Sequence, residues 1–415
     1  MHEKIVLENG VRIIVEPIDY VRSASVGIWV GCGSRHEPPE LYGISHFIEH
    51  MVFKGTSTRT ASEIAFLMDG IGGQVNAFTT KECTCFYAKA LTSHLDVAIN
   101  VLCDMFFDPR ISEKDVKTER GVIIEEIGMY EDSPEDLVSE RLFKYIFRGT
   151  PLAHPILGTP SSLKKINGEM MRAYMRENYR AGSVIVSLCG SYTQNQVDEL
   201  KRRFSALPAS DAPIQIPSNY TPAFTVREKD IEQNHVCLAF PGLNFEAPER
   251  YASQVMSGIV GSGMSSRLFQ RVREALGLCY SVYSFSTAHS DTGIFGICTA
   301  VGKETEKTAL GVIREELNKL LEYGVTEMEL ERTREQIKAN VVMSLESITS
   351  RMNYLARQEL FLRRISMADD IIESYDRVTL DDVNNICRKT FDFENMSLSA
   401  VGNVLSKDAY RKIFR

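Results

Sequence analysis

GISHFIEHMVFKG, residues 43–55, is the stretch around which the rest of the sequence is organised. On a helix, His46 and His50 stand four residues apart on one face, so their two imidazoles can share one cation. Glu49 lies three residues after His46 on the same face. The pattern therefore brings three chemically active side chains together at one place.

The residue types in this stretch point to metal-assisted hydrolysis. Zinc binds imidazole nitrogen readily, and a catalytic zinc site has three protein ligands and one position open to water. A carboxylate that does not bind the metal then takes a proton from that water. His-x-x-Glu-His is the inverted order of the zinc-peptidase motif, and it lacks one ligand. The alternative is a helix whose two histidines and glutamate simply face solvent.

The missing ligand is expected on the helix predicted at residues 112–130, SEKDVKTERGVIIEEIGMY. Glu119 and Glu126 are seven residues apart, so both can point at one target, whereas Glu125 points about 100° away from Glu126. The local sequence leaves either Glu125 or Glu126 as the ligand, and solvated glutamates are the alternative. The apolar residues Val122, Ile123, Ile124 and Ile127 predict a largely buried helix, where a glutamate needs a partner.

Composition excludes several functional classes. The 415 residues are 44% hydrophobic and 25% charged, as in an ordinary globular protein long enough for two or more domains. The net charge of −8 and the lack of a lysine and arginine cluster argue against nucleic-acid binding. No apolar run reaches the roughly 18 residues that a membrane span needs.

The nine cysteines are scattered through apolar segments, which predicts reduced, buried thiols. Cys83 and Cys85 resemble half of a metal site, but no second pair at zinc-ribbon spacing follows. We therefore expect these two thiols on one face of a strand. The N-terminal sequence shows no basic, apolar and small-residue succession of a signal peptide, so a cytoplasmic location is expected.

Residues 207–222, LPASDAPIQIPSNYTP, contain four prolines and no periodicity. They predict a linker at 208–222 between an N-terminal domain, residues 1–207, and a C-terminal domain, residues 223–415.

The two halves share a pattern. Residues 178–192 and 390–404 each follow a predicted helix and show an aromatic residue, a turn, an apolar strand and a glycine. A duplicated domain is the economical interpretation, and convergence on a common helix-strand pattern is the alternative. The second half has no His-x-x-Glu-His, so only the first copy can carry the metal.

Four spaced motifs resemble the pitrilysin/insulinase family of zinc peptidases. They are GISHFIEHMVFKGT, GGQVNAFTTKECTCFYA, ERGVIIEEIGMYEDSPED and GSGMSSRLFQRVREALGLCYSVYS. The resemblance covers nearly the whole chain and is greatest to bacterial relatives of the mitochondrial processing peptidase β subunit. It implies two similar α+β domains related by duplication, each a mainly antiparallel sheet with helices packed on one face.

The resemblance also implies one Zn²⁺ per chain, bound by His46, His50 and Glu126. Glu49 is then the general base that activates the water, and Glu119 orients a histidine through a hydrogen bond.

Substrate-binding residues follow from the same resemblance. The strand after Gly72-Gly73 is expected to bind an extended peptide by strand addition through Asn76, Ala77 and Phe78. Arg273 and Tyr280, seven residues apart in the second half, are expected to hold the substrate and the developing oxyanion.

The function expected is that of a zinc endopeptidase that cleaves short or unstructured, basic peptides, as processing peptidases do. An excess of acidic residues between Asp115 and Glu140 favours basic substrates, although a solvated acidic helix end explains it equally well. We expect a homodimer in which Arg273 and Tyr280 serve the partner's zinc. The alternatives are a heterodimer with an inactive paralogue and a non-catalytic scaffold or assembly subunit of the same fold.

Overall fold

The computed structural model describes residues 2–211 and 216–414. The strands are β1 (Glu3–Val6), β2 (Arg12–Pro17), β3 (Ser23–Val30), β4 (Gln74–Thr79), β5 (Thr84–Leu91), β6 (Val184–Gly190), β7 (Phe224–Glu228), β8 (Gln233–Pro241), β9 (Cys279–Ala288), β10 (Gly293–Gly302) and β11 (Ser397–Gly402). The predicted linker at 208–222 includes residues 212–215, which lie outside the described residues, and its described part contains no helix or strand.

The α-helices are α1 (Ile44–Val52), α2 (Ala61–Gly70), α3 (Leu95–Phe107), α4 (Glu113–Asp132), α5 (Pro134–Ile146), α6 (Pro160–Leu163), α7 (Gly168–Asn178), α8 (Gln194–Phe204), α9 (Arg250–Gly261), α10 (Glu306–Tyr323), α11 (Glu327–Ser344), α12 (Ile348–Leu362), α13 (Ala368–Asp376), α14 (Leu380–Thr390) and α15 (Lys407–Phe414). Short 3₁₀ turns occupy Ser34–His36, Pro39–Leu41, Thr92–His94, Pro151–Ala153 and Ala181–Ser183, and a π-helical turn occupies Phe269–Ala275. No helix among the described residues has both the length and the apolar character that crossing a bilayer requires.

The chain forms two compact units. The first unit contains Met1–Gly128, His154–Ile216 and Met343–Ile365, and the second contains Met129–Ala153, Pro217–Val342 and Ser366–Arg415. Each unit therefore includes one segment from the other half of the sequence, Met343–Ile365 in the first unit and Met129–Ala153 in the second. A single boundary at residues 208–222 does not describe this exchange.

The first unit is built on a six-stranded sheet in the order β1-β2-β6-β3-β5-β4. Its neighbouring strands are antiparallel except for the parallel pair β2 and β6. Val26 and Ile28 of β3 face an apolar layer formed by α1 to α4, α7 and α8. Trp29 points to the opposite face, where it packs against Met352 and Leu355 of α12. Because both faces are covered, β3 is apolar on both sides.

The second unit repeats this design with a five-stranded sheet in the order β7-β11-β8-β10-β9. Its single parallel pair, β7 and β11, corresponds to β2 and β6. Gly190 and Gly402 end β6 and β11 with φ of 121° and 135°, a conformation that side chains disfavour. A Cβ at Gly190 would overlap Ser23, and one at Gly402 would overlap Asn234. These matches confirm the predicted fold class of two similar α+β domains.

Two helices each pack in the unit that is formed mainly by the other half of the sequence. α5, from the first half, packs against β8 and β11 of the second unit through Leu137, Leu142 and Ile146. α12, from the second half, packs against β3 and β6 of the first unit. Ser133 and Ser347 cap these two helices in the same way, each accepting a backbone N–H three residues on. The helical layer expected on one face of each sheet is thus accompanied by a helix on the other face.

The prediction that all cysteines are reduced is wrong for two of them. Cys237 of β8 and Cys298 of β10 form a disulfide. They lie directly opposite each other in the antiparallel register, a proximity that their separation of 61 residues hides in the sequence. The other seven cysteines are free; Cys83 and Cys85 pack in one apolar cluster, although Cys83 lies just before β5 and not on it.

Candidate metal centre

α1 is anchored at its start by a buried carboxylate. Glu37 accepts the N–H groups of Gly43 at 2.7 Å and Ser45 at 2.8 Å, which satisfies two of the free donors at the helix N-terminus. Burial raises the pKa of Glu37 to about 7, against the opposing effect of these hydrogen bonds. Phe47 and Met51 are fully buried in the core, so the rotation of α1 about its axis is also fixed.

Three side chains converge beside α1. His46 Nε2 lies 3.7 Å and His50 Nε2 lies 3.6 Å from Glu126 Oε2. Two atoms that bind one zinc ion at about 2.0–2.2 Å in a tetrahedral site are roughly 3.4 Å apart, so this donor set fits zinc. Within residues 2–211 and 216–414, it is the one group of three such side chains close enough to share an ion. Glu125, the alternative ligand, is exposed.

His46 is held in the form that binds metals. Its burial lowers its pKa to about 4, and the neighbouring His50 adds to this effect. At neutral pH the imidazole is therefore uncharged and has a lone pair available for a cation.

Glu119 lies beside the Nδ1 nitrogen of His50, on the side of the ring away from Glu126. Its Oε1 is 2.9 Å from His50 Nδ1, and its Oε2 is 2.6 Å from Lys54 Nζ. A carboxylate at Nδ1 keeps the ring proton on that nitrogen, which leaves the Nε2 lone pair directed toward Glu126. Glu119 is almost fully buried, so His50 and Lys54 are the groups that compensate its charge.

Glu49 stands next to His50 without belonging to the group of three. The Thr79 hydroxyl donates a hydrogen bond of 2.5 Å to Glu49 Oε2. Burial raises the pKa of Glu49, and the hydrogen bond from Thr79 opposes this rise. A half-buried carboxylate beside the three candidate ligands is placed to accept and release a proton.

β4 carries the predicted substrate-binding residues at the end of the six-stranded sheet, where β5 is its one partner strand among the described residues. Asn76 is exposed, and its Oδ1 accepts the N–H of Ala77 at 2.8 Å. The ring of Phe78 packs edge-on against Trp29 at 5.3 Å, on the face covered by α12. Phe78 is partly buried there, so much of its ring is used in packing within the sheet.

Arg273 and Tyr280 lie side by side in the second unit. The guanidinium of Arg273, in the π-helical turn, is 5.8 Å from the centre of the Tyr280 ring and 4.7 Å from that of Phe269. Tyr280, at the start of β9, is 72% exposed. Arg273 and Tyr280 thus form a cation–π pair in which the tyrosine is exposed.

The second unit has no metal-binding group at the corresponding place. α9 carries Gln254, Ser257 and Gly258 at the spacing of His46, Glu49 and His50. α11 carries Thr333 and Asn340 at the spacing of Glu119 and Glu126. These five residues line one pocket, and none of them is a usual zinc ligand.

The motif analysis missed three residues that support the centre, namely Glu37, Lys54 and Thr79. Lys54 offered a signal, because it lies four residues after His50, just past the end of α1. Glu37 and Thr79 offered none, because each contacts α1 from a separate element.

Comparisons with known proteins agree with this geometry. The family model for insulinase, peptidase family M16, matches residues 12–160, and the model for the peptidase M16 inactive domain matches residues 165–337. The uncharacterized zinc protease YmxG of Bacillus subtilis is 42% identical over 410 residues, covering 98% of this chain and 100% of its own. A zinc protease of Streptomyces coelicolor is 37% identical over 415 residues, covering 98% of this chain and 90% of its own.

A solved structure shows the same fold. The crystal structure described as a peptidase M16 inactive domain from Pseudomonas fluorescens superposes with a TM-score of 0.91 at 19% sequence identity. The match covers 98% of this chain and 99% of that one.

Substitution of the two neighbouring glutamates distinguishes the third ligand. We expect Glu126→Gln to weaken zinc binding by more than the roughly 10–100-fold that loss of a supporting hydrogen bond costs, because a ligand itself is lost. Glu125→Gln, one residue away on the exposed side of α4, is the matched control and should bind zinc like the wild type. Competition with a chromogenic chelator measures both affinities. Weaker binding by Glu125→Gln alone would contradict this assignment.

Proposed function

The chain belongs to the insulinase family of peptidases, peptidase family M16, and we propose that it is a zinc endopeptidase that cleaves short or unstructured, basic peptides. Zn²⁺ is its cofactor, in keeping with its zinc-protease relatives. The observation that carries the proposal is the convergence of His46, His50 and Glu126, with Glu49 held beside them.

Each residue of the centre has a distinct task in the proposed mechanism. His46, His50 and Glu126 would hold the ion, with His50 oriented by Glu119. When bound, zinc supplies a Lewis acid that lowers the pKa of water and polarises a peptide carbonyl. Glu49 accepts the proton of the attacking water at its carboxylate and delivers it to the leaving amine.

The free edge of β4 would align the substrate. An extended peptide that adds to this edge gains main-chain hydrogen bonds, so an unfolded segment binds and a folded domain does not. Asn76 and Ala77 offer exposed or half-buried contacts at that edge. The side chains of Arg273 and Tyr280 are proposed to steady the substrate and the oxyanion.

The alternative is a non-catalytic scaffold or assembly subunit of the same fold. The complete set of His46, His50, Glu126 and Glu49 favours the enzyme. A cytoplasmic location stays a prediction, and the Cys237–Cys298 disulfide removes the cysteines as support for it.

The first test compares the wild type with Glu49→Gln on a library of unstructured peptides. We expect both proteins to bind one zinc ion per chain, and the variant to lose at least about 10²–10⁴-fold in kcat/KM because the proton acceptor is gone. Zinc content is measured on the same samples. Near-wild-type cleavage by Glu49→Gln would remove Glu49 as the base, and zinc-loaded wild type without any cleavage would favour the scaffold alternative.

Preference for basic peptides is tested with arginine and its neutral isostere citrulline at the same positions of one peptide. Glu125, Glu131 and Asp132 are exposed, so we expect a several-fold higher kcat/KM for arginine at low salt. The preference should shrink as salt screens the charges. Equal rates for the two peptides at low salt would show that the acidic residues are only a solvated helix end.

The proposed homodimer is tested by mass in solution and by mixed variants. If Arg273 serves the partner's centre, co-expressed Glu49→Gln and Arg273→Ala chains should regain about a quarter of wild-type activity, because half of the dimers are mixed and each has one intact site. Each variant alone should be nearly inactive. A dimer that regains nothing would place Arg273 at its own centre, whereas a monomer, or copurification with a different chain, would contradict the homodimer.

A further inference from the structure

Thr79 is the last residue of β4, and its side chain reaches the candidate general base. Its hydroxyl donates to Glu49 Oε2 at 2.5 Å, a short bond typical of a hydroxyl and an ionised carboxylate. Because the bond holds Oε2, it also fixes the direction in which the second oxygen, Oε1 of Glu49, points.

The backbone on both sides of this hydroxyl is fixed. Thr79 pairs with Thr84 in the register of β4 and β5. In the turn that follows, the Thr80 N–H donates to the Cys83 carbonyl at 2.8 Å, and the Thr80 carbonyl accepts the Ser34 N–H at 3.1 Å. The strand end therefore has little freedom, so the hydroxyl restrains the glutamate rather than the reverse.

Glu49 needs such a restraint because its own helix does not supply one. A glutamate side chain has several rotatable bonds, and ordering it costs up to about 2 kcal/mol of rotamer entropy. Neither Glu119 nor Glu126 bonds to it, since these two carboxylates face the histidines. The hydroxyl of Thr79 is the neutral donor that can hold the carboxylate without neutralising it.

The position of Thr79 in the chain links two parts of the proposed reaction. Asn76 and Ala77, on the same strand, offer the edge to which a substrate would add. One rigid strand therefore determines both where the peptide backbone lies and where Glu49 Oε1 points. Misplacement of a reacting group by about 1 Å can cost about 100-fold in rate. Positioning the peptide and Glu49 by the same strand should therefore matter to turnover.

We propose that Thr79 is a positioning residue that holds Glu49 through its hydroxyl and aligns it with a peptide bound at the edge of β4. The inference rests on the proposed peptidase function and deepens it. It assigns to Thr79 no contact with zinc and no share in proton transfer.

Three substitutions test the role. Thr79→Val keeps the size and branching of the side chain and removes the hydroxyl, and Thr79→Ser keeps the hydroxyl. Thr84→Val is the matched control, because Thr84 lies directly opposite on β5 and its hydroxyl bonds to the Cys32 carbonyl at 3.0 Å instead. Each variant is assayed for zinc content, kcat and KM on a peptide that the wild type cleaves.

Thr79→Val should bind zinc fully, keep KM within about twofold and lose about 10–100-fold in kcat, since only the orientation of the base changes. Thr79→Ser should recover most of that loss, and Thr84→Val should keep the wild-type kcat. A wild-type kcat for Thr79→Val, or an equal loss in Thr79→Ser, would overturn the proposal while Glu49→Gln remained inactive.

A crystal structure of each Thr79 variant gives a readout that does not depend on activity. We expect the Glu49 carboxylate to leave its present position in Thr79→Val and to retain it in Thr79→Ser. An unmoved carboxylate in a folded Thr79→Val would overturn the proposal even if no peptide substrate were found. Loss of cleavage in the wild type itself would instead count against the proposed function.

Discussion

The hydrogen bond between Glu119 and His50 is the interaction on which the centre depends. It joins α1 to α4 across 69 residues of sequence and sets which nitrogen of His50 is free for a metal. The bond is tolerable at a buried carboxylate only because Lys54 approaches its second oxygen. An unpaired buried charge would cost several kcal/mol, so the same contacts that orient His50 also make the burial of Glu119 between the two helices possible.

The core of the candidate site could be predicted because it is local. A spacing of four residues on a helix determines that His46 and His50 face one way, and no tertiary information is needed for that. Helical geometry could not choose between Glu125 and Glu126, because the choice depends on which side of α4 faces α1. The family resemblance selected Glu126, and the structure places this carboxylate, and not the exposed Glu125, beside the histidines.

Several features that could not be predicted depend on which elements pair in the folded chain. The hydroxyl of Thr79 reaches Glu49 because β4 ends beside α1, and Cys237 meets Cys298 because β8 pairs with β10. α5 comes from the first half of the sequence but packs on the second sheet, because that sheet has an apolar face that must be buried. Periodicity predicts that such a face exists, but not which segment covers it.

The duplicated framework also explains why metal binding belongs to one copy. In the second unit, Gly258 holds the position that His50 holds in α1, and a Cβ there would overlap the Thr333 side chain of α11. Thr333 in turn holds the position of Glu119, the partner of His50. A histidine at position 258 alone would therefore meet a packed helix and no carboxylate. Restoring that histidine and its supporting glutamate would still leave Gln254 and Asn340 at the other two ligand positions, so metal binding in the second copy would need several changes at once.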